Sequence, residues 1–119
     1  MEMNLAQALE TRRFLNEVRS SNRSGSHVNC FRYFQNNSDE HEDTKFKVFK
    51  LLRKLNHNVL VEPIFLNGSR CDILDISLGV IYEVIHSEKE TEVKNKNYPS
   101  CFGIVIIKSN KSEKIEVLE

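Results

Sequence analysis

The chain has 119 residues, enough for one domain with a single hydrophobic core and too few for two. Its 17 Lys and Arg balance 17 Asp and Glu, so bulk charge does not mark a nucleic-acid binder, although basic residues crowd the first half and acids close the chain. No apolar run approaches membrane-spanning length and MEMNLAQALE lacks a signal-peptide core, so a cytoplasmic chain is the expectation.

Asn4 to Arg19 holds good helix formers and no breaker, and is expected to be a helix whose apolar stripe is interrupted by Arg12 and Arg13. SSNRSGS reads as a linker or turn, and HVNCFRYF as a strand with Phe31 and Tyr33 on one face. DEHEDTKFKVFKLLRKLN carries Phe46, Phe49, Leu52 and Leu55 at three-residue spacing, which predicts a helix. Ser38 or Asp39 caps its start, acids fill its first turn, and Arg53 and Lys54 fill its last. HNVLVEPIFL follows as a strand, with Pro63 hinting at an edge or bulge. NGS turns into the strand RCDILDI, and SLG turns into the strand VIYEVIH. SEKETEVKNKN is expected as a short polar helix, CFGIVIIK as a buried strand, and SEKIEVLE as a last strand or short helix. From Asp39 the order is α-β-β-β-α-β, an α/β layer with a helix packed on a mixed sheet. The scattered cysteines, Cys30, Cys71 and Cys101, lack CxxC or zinc-finger spacing and read as small core residues.

Asp72 stands early on one apolar strand and Glu83 late on the next, roughly equidistant from the turn at Ser77 to Gly79. Adjacent strands lie about 5 Å apart, so the two acids can face each other and are expected on the side covered by the helix from Asp39 to Asn56. Converging, half-buried carboxylates repel unless a proton or cation lies between them, and oxygen ligands of this kind suit Mg²⁺ or Mn²⁺. Spacing alone leaves a second reading open, in which Asp72 pairs with Arg70 or lies at a strand end and Glu83 sits on a solvated face.

Gly68-Ser69-Arg70-Cys71-Asp72-Ile73-Leu74, followed by Ile81-Tyr82-Glu83-Val84-Ile85-His86, resembles the PD-(D/E)XK nuclease superfamily. Its restriction-endonuclease-like αβββαβ core occurs in Holliday-junction resolvases and type II restriction enzymes, and the likeness covers about Ser38 to Lys108. Motif order is also similar to CoiA-like members: Ser38 to His41 opening the helix, Lys45 one turn on, Glu62, Arg70-x-Asp72, Glu83-Val84 and Ser87. The resemblance implies a nuclease-like core over 38–119 behind an N-terminal helix and linker over 1–37. It implies Asp72 and Glu83 as ligands of Mg²⁺ or Mn²⁺, with Glu42, or else Glu40, as a helix acid completing the site. It further implies DNA as substrate and a homodimer to reach both strands. Glu42 can equally be a first-turn capping acid. The place of the superfamily's lysine is taken by Ile85, as CoiA-like members also lack it. His86 could supply a proton shuttle or ligand, though strand alternation sends it to the face opposite Glu83 unless a bulge intervenes. Lys45 is either a solvated helix lysine or, if it reaches the site, a replacement.

His41 reads as a helix-start polar residue, Glu62 as a site acid or an edge charge, and His27 and His57 have no partner at useful spacing. Arg12, Arg13, Arg19, Arg23 and Arg32, with Lys47, Lys50, Arg53 and Lys54, could grip phosphates, and Phe31 and Tyr33 could stack on bases. With the lysine lost, a catalytically inactive nuclease fold that binds nucleic acid or a protein is the alternative function.

Overall fold

The computed structural model describes residues 4–22, 27–85, 97–108 and 116–118. Helix α1 spans Leu5–Leu15 and opens on a capping box in which Asn4 and Gln7 exchange hydrogen bonds. It stops short of the expected Arg19, because Val18 forms a β-bridge with Phe65 and the Arg19 N–H donates to Ile64 O. A single 3-10 turn follows at Ser20–Asn22. The strand expected at 27–34 does not form. Only Val28 bridges to Leu60; Asn29, at φ 63°, turns the chain away while its side chain accepts from Val59 N.

Helix α2 spans Asp39–Lys54, and Ser38 caps it by accepting from His41 N. Strands β1 (Val59–Val61), β2 (Ile73–Asp75) and β3 (Val80–Ile85) form an antiparallel meander. β1 ends at Glu62, whose φ of 54° breaks the extended backbone one residue before Pro63. β4 (Gly103–Lys108) runs parallel to β3, and β5 (Glu116–Leu118) lies antiparallel at its outer side, giving the order β1-β2-β3-β4-β5. The short polar helix expected at 87–97 falls mostly on 86–96, outside the described residues, as does His86.

The sheet is covered on both faces, which is why its central strands are apolar on both sides. Leu60, Leu74 and Ile81 share one face and pack with Phe14 and Val18. Val59, Ile73 and Ile107 share the other and pack with Val48 and Leu52 of α2. The N-terminal helix is therefore part of the core rather than an appendage to it. The α/β class with a mixed sheet and flanking helices forms as expected. Among the described residues no helix is long and apolar enough to cross a membrane.

Candidate active site

The inward face of α2 changes character along its length. Val48 and Leu52, in its second half, are buried against the sheet. One and two turns earlier the same face carries Lys45, then Glu42 and His41. Lys45 is 0% exposed, so the solvated helix lysine is ruled out. The expected apolar stripe is also rotated. Phe46 is 41% exposed and packs beside Phe31, at 4.8 Å between ring centroids, while Phe49, 5.5 Å from Phe31, also borders the Val48–Leu52 cluster on the sheet.

A lysine is buried this way only when its charge is matched. Lys45 Nζ donates to both Glu42 oxygens, at 2.9 Å to Oε1 and 2.7 Å to Oε2. Glu42 also accepts from Phe34 N and from Asn37 Nδ2, so the strap 34–37 closes over the pair. The rings of Phe31 and Phe34 lie 5.4 and 5.0 Å from Nζ and complete its surroundings.

Asp72 and Glu83 meet across the meander. Ile73 is opposite Tyr82, so continuing the register places Asp72 opposite Glu83. Each carboxylate holds the other's strand: Asp72 N donates to Glu83 Oε1 at 3.1 Å, and Val84 N donates to Asp72 Oδ2 at 2.7 Å. Glu83 shares the Ile81 face, the one packed by α1, and the Tyr98 hydroxyl donates to its Oε1 at 2.8 Å. Asp72 stands in a bend just before β2 and reaches instead to the first turn of α2, where its Oδ1 lies 3.1 Å from His41 Nε2. The expectation that both acids face α2 holds for Asp72 alone. Arg70 does not pair with Asp72; its guanidinium lies over the Phe34 ring.

Electrostatics bind these groups into one cluster. Burial disfavours charge on His41, but the hydrogen bond and charge of Asp72, with Glu42, outweigh it and raise its pKa above 6.5. Burial, then the charge of Asp72, raises the Glu62 pKa against the opposing pull of Lys45, Arg70 and His41. Burial and Glu83 together keep Tyr98 protonated, as its donor role requires. All three shifts carry the same sign: the folded state holds each proton more tightly than the unfolded chain. The stability from His41 is fully present below 6.5 and is lost as pH rises through the raised value. Melting temperature should therefore fall as pH is raised from 6.5 through that value, and His41→Gln should flatten the fall. Equal slopes in thermal melts of the two proteins would refute the pairing.

Of the residues singled out in the sequence, Asp72 and Glu83 are brought together, and Lys45 and Glu42 stand beside them on α2. Glu42 is committed to Lys45, and among the described residues no three His, Cys, Asp or Glu side chains are placed to hold a metal ion. Comparisons of the chain with protein-family models, curated proteins and solved structures found no match. Sequence reasoning takes His41 as a helix-start polar residue, although it stands one turn before Lys45 on the same helical face, and assigns no role to Tyr98. Tyr98 acts from a distant loop, which no local pattern shows. His57, read as partnerless, places Nδ1 2.6 Å from Asp75 Oδ2.

Proposed function

We propose that the chain is a nuclease of the PD-(D/E)XK type, with a divalent cation at Asp72 and Glu83 and with Lys45 supplying the positive charge that Ile85 cannot. The observation that carries this reading is a lysine with 0% exposure beside a cluster of acids, buried at one end of a sheet. Burying such a set is unfavourable for folding alone, and clusters of this kind concentrate at functional sites. The order α2, meander, then a strand parallel to the last meander strand agrees with the αβββαβ core.

Asp72 and Glu83 would hold the ion, since Mg²⁺ commonly takes one or two carboxylates and completes its shell with water and substrate phosphate. Glu83 lies on the α1 face, so its carboxylate must turn toward Asp72 for the two to share it. When bound, it would supply charge stabilisation at the phosphodiester and a more acidic water. The chain's own residues do the rest. Tyr98 and Asp72 N fix Glu83, and His41 and Val84 N fix Asp72. Lys45, sealed behind Phe31 and Phe34, acts through its field rather than by contact. Ile85, at the superfamily's lysine position, is buried against Ile106 and offers no seat for a charge.

A second reading, a nuclease fold that binds nucleic acid without cutting it, is favoured by the satisfaction of both Asp72 oxygens within the protein. One assay separates the two. The protein is incubated with single-stranded, duplex and branched DNA in Mg²⁺ or Mn²⁺. Cleavage that falls by about 10²-fold or more in Asp72→Asn and Glu83→Gln supports the nuclease, on the scale at which a positioned catalytic group is ordinarily felt. Intact DNA in both metals, with binding retained, supports the second reading.

A further inference from the structure

We propose that Arg32, Tyr33, Phe34 and Arg70 form a clamp for single-stranded nucleic acid at the mouth of the acidic cluster, an inference that rests on the phosphodiester chemistry proposed above. Phe34 is the centre of the clamp. Its ring carries the Arg32 guanidinium at 5.3 Å and the Arg70 guanidinium at 5.6 Å, while Lys45 Nζ lies 5.0 Å away on the buried side. Its backbone N–H is held by Glu42, so the ring is anchored to α2 rather than carried by a free loop.

An arginine laid on an aromatic ring keeps its planar fork of N–H donors ordered and available for a phosphate. Among the described residues neither Arg32 nor Arg70 has a carboxylate within ion-pair distance, although this end of the molecule is rich in acids. Arg70 acts on Glu62 only through its field, so the N–H donors of both guanidiniums remain for a partner, and their complement is an anionic backbone. Arg70 precedes Asp72 by two residues, about 7 Å of extended chain, so a strand gripped there passes the acids.

Tyr33 decides in favour of single strands. It is 60% exposed and adjoins in sequence Arg32 and Phe34, the ring that carries both guanidiniums, whereas Phe31 packs on Phe46 and Phe49. An exposed ring next to such cations stacks on an unpaired base, which a duplex does not offer.

The test is fluorescence anisotropy with a labelled oligothymidine and with a duplex of equal length, both in EDTA so that metal and cleavage play no part. Wild-type protein should bind the single strand more tightly than the duplex. Tyr33→Ala should weaken binding by roughly five- to hundredfold, and Tyr33→Phe should retain it. Arg32→Ala and Arg70→Ala should each lower the salt dependence by about 0.7 in log–log slope. Asp72→Asn should bind as wild type does while losing any cleavage, which separates failure of the clamp from failure of the nuclease. Absence of binding, equal binding of duplex, or unaltered affinity in Tyr33→Ala and in the double arginine variant would overturn the clamp.

Discussion

Replacing Lys45 with methionine should destabilise the protein by about 3–5 kcal/mol, the usual consequence of leaving one member of a buried ion pair without its partner. Glu42, only 4% exposed, would be left without its cation, with Phe34 N and Asn37 Nδ2 as its remaining partners. The loss should be recovered when both members are removed. A Glu42→Leu/Lys45→Met protein replaces the pair with apolar groups of similar size, a change that is often neutral or stabilising in buried pairs. Two hydrogen bonds to Glu42, from Phe34 N and Asn37 Nδ2, are forfeited as well, so recovery should be incomplete by about 1–3 kcal/mol. Urea unfolding of the four proteins in the cycle measures the coupling. A Lys45→Met variant within about 1 kcal/mol of wild type, the usual effect of breaking a surface pair, would show that Lys45 is not sealed in solution. The double variant carries functional information too. It should fold, and if Lys45 supplies charge to the site its cleavage should drop well beyond what a residual loss of about 1–3 kcal/mol in stability explains.

Why the sequence leaves Lys45 between a solvated face and the site is a matter of competing periodicities on α2. Phe46, Phe49, Leu52 and Leu55 form a regular apolar row, and apolar residues are the default core face. The helix instead turns His41, Glu42, Lys45, Val48 and Leu52 toward the sheet, because Phe46 and Phe49 find an alternative partner in Phe31 from the preceding strap. No local pattern announces that strap, since the stretch 28–34 has the composition of a strand and forms only one bridge. Asp72 and Glu83 were legible for the opposite reason. A tight turn fixes antiparallel register by counting, so two acids equidistant from it must meet. What counting could not supply is the direction each side chain takes, because Asp72 sits in a bend just outside β2, where alternation no longer applies.

The two halves of the site are consequently held by different kinds of structure. Glu83 is fixed by a regular strand and by the aromatic cluster around Tyr98 and Phe65 on the α1 face. Asp72 is fixed by the end of a strand and by the first turn of α2. The turn before β3 joins the two strands that position these acids and packs against Phe14 of α1, so its integrity bears on the site.

That turn supplies the last expected result. Gly79→Ala should destabilise the protein by about 2–5 kcal/mol, from two separate causes. Gly79 has a φ of 72°, in the left-handed region where a side chain costs about 1–2 kcal/mol. A methyl group there would also meet the Phe14 ring of α1, 2.6 Å from Cε1 and closer still to Cζ, and overpacking of this kind adds about 1–3 kcal/mol. Neither cause can relax easily. The turn is pinned by Asp75, whose Oδ1 accepts from Ser77 N and Leu78 N, and Gly79 O accepts from Gly103 N at the start of β4. The two causes separate in a Phe14→Leu background, which shortens the opposing side chain but leaves the backbone angle unchanged. Gly79→Ala should there lose only the conformational part, about 1–2 kcal/mol by urea unfolding. An equal loss in both backgrounds would mean that Phe14 does not close on the turn. In that case the seating of α1 beneath Glu83 would have to be abandoned.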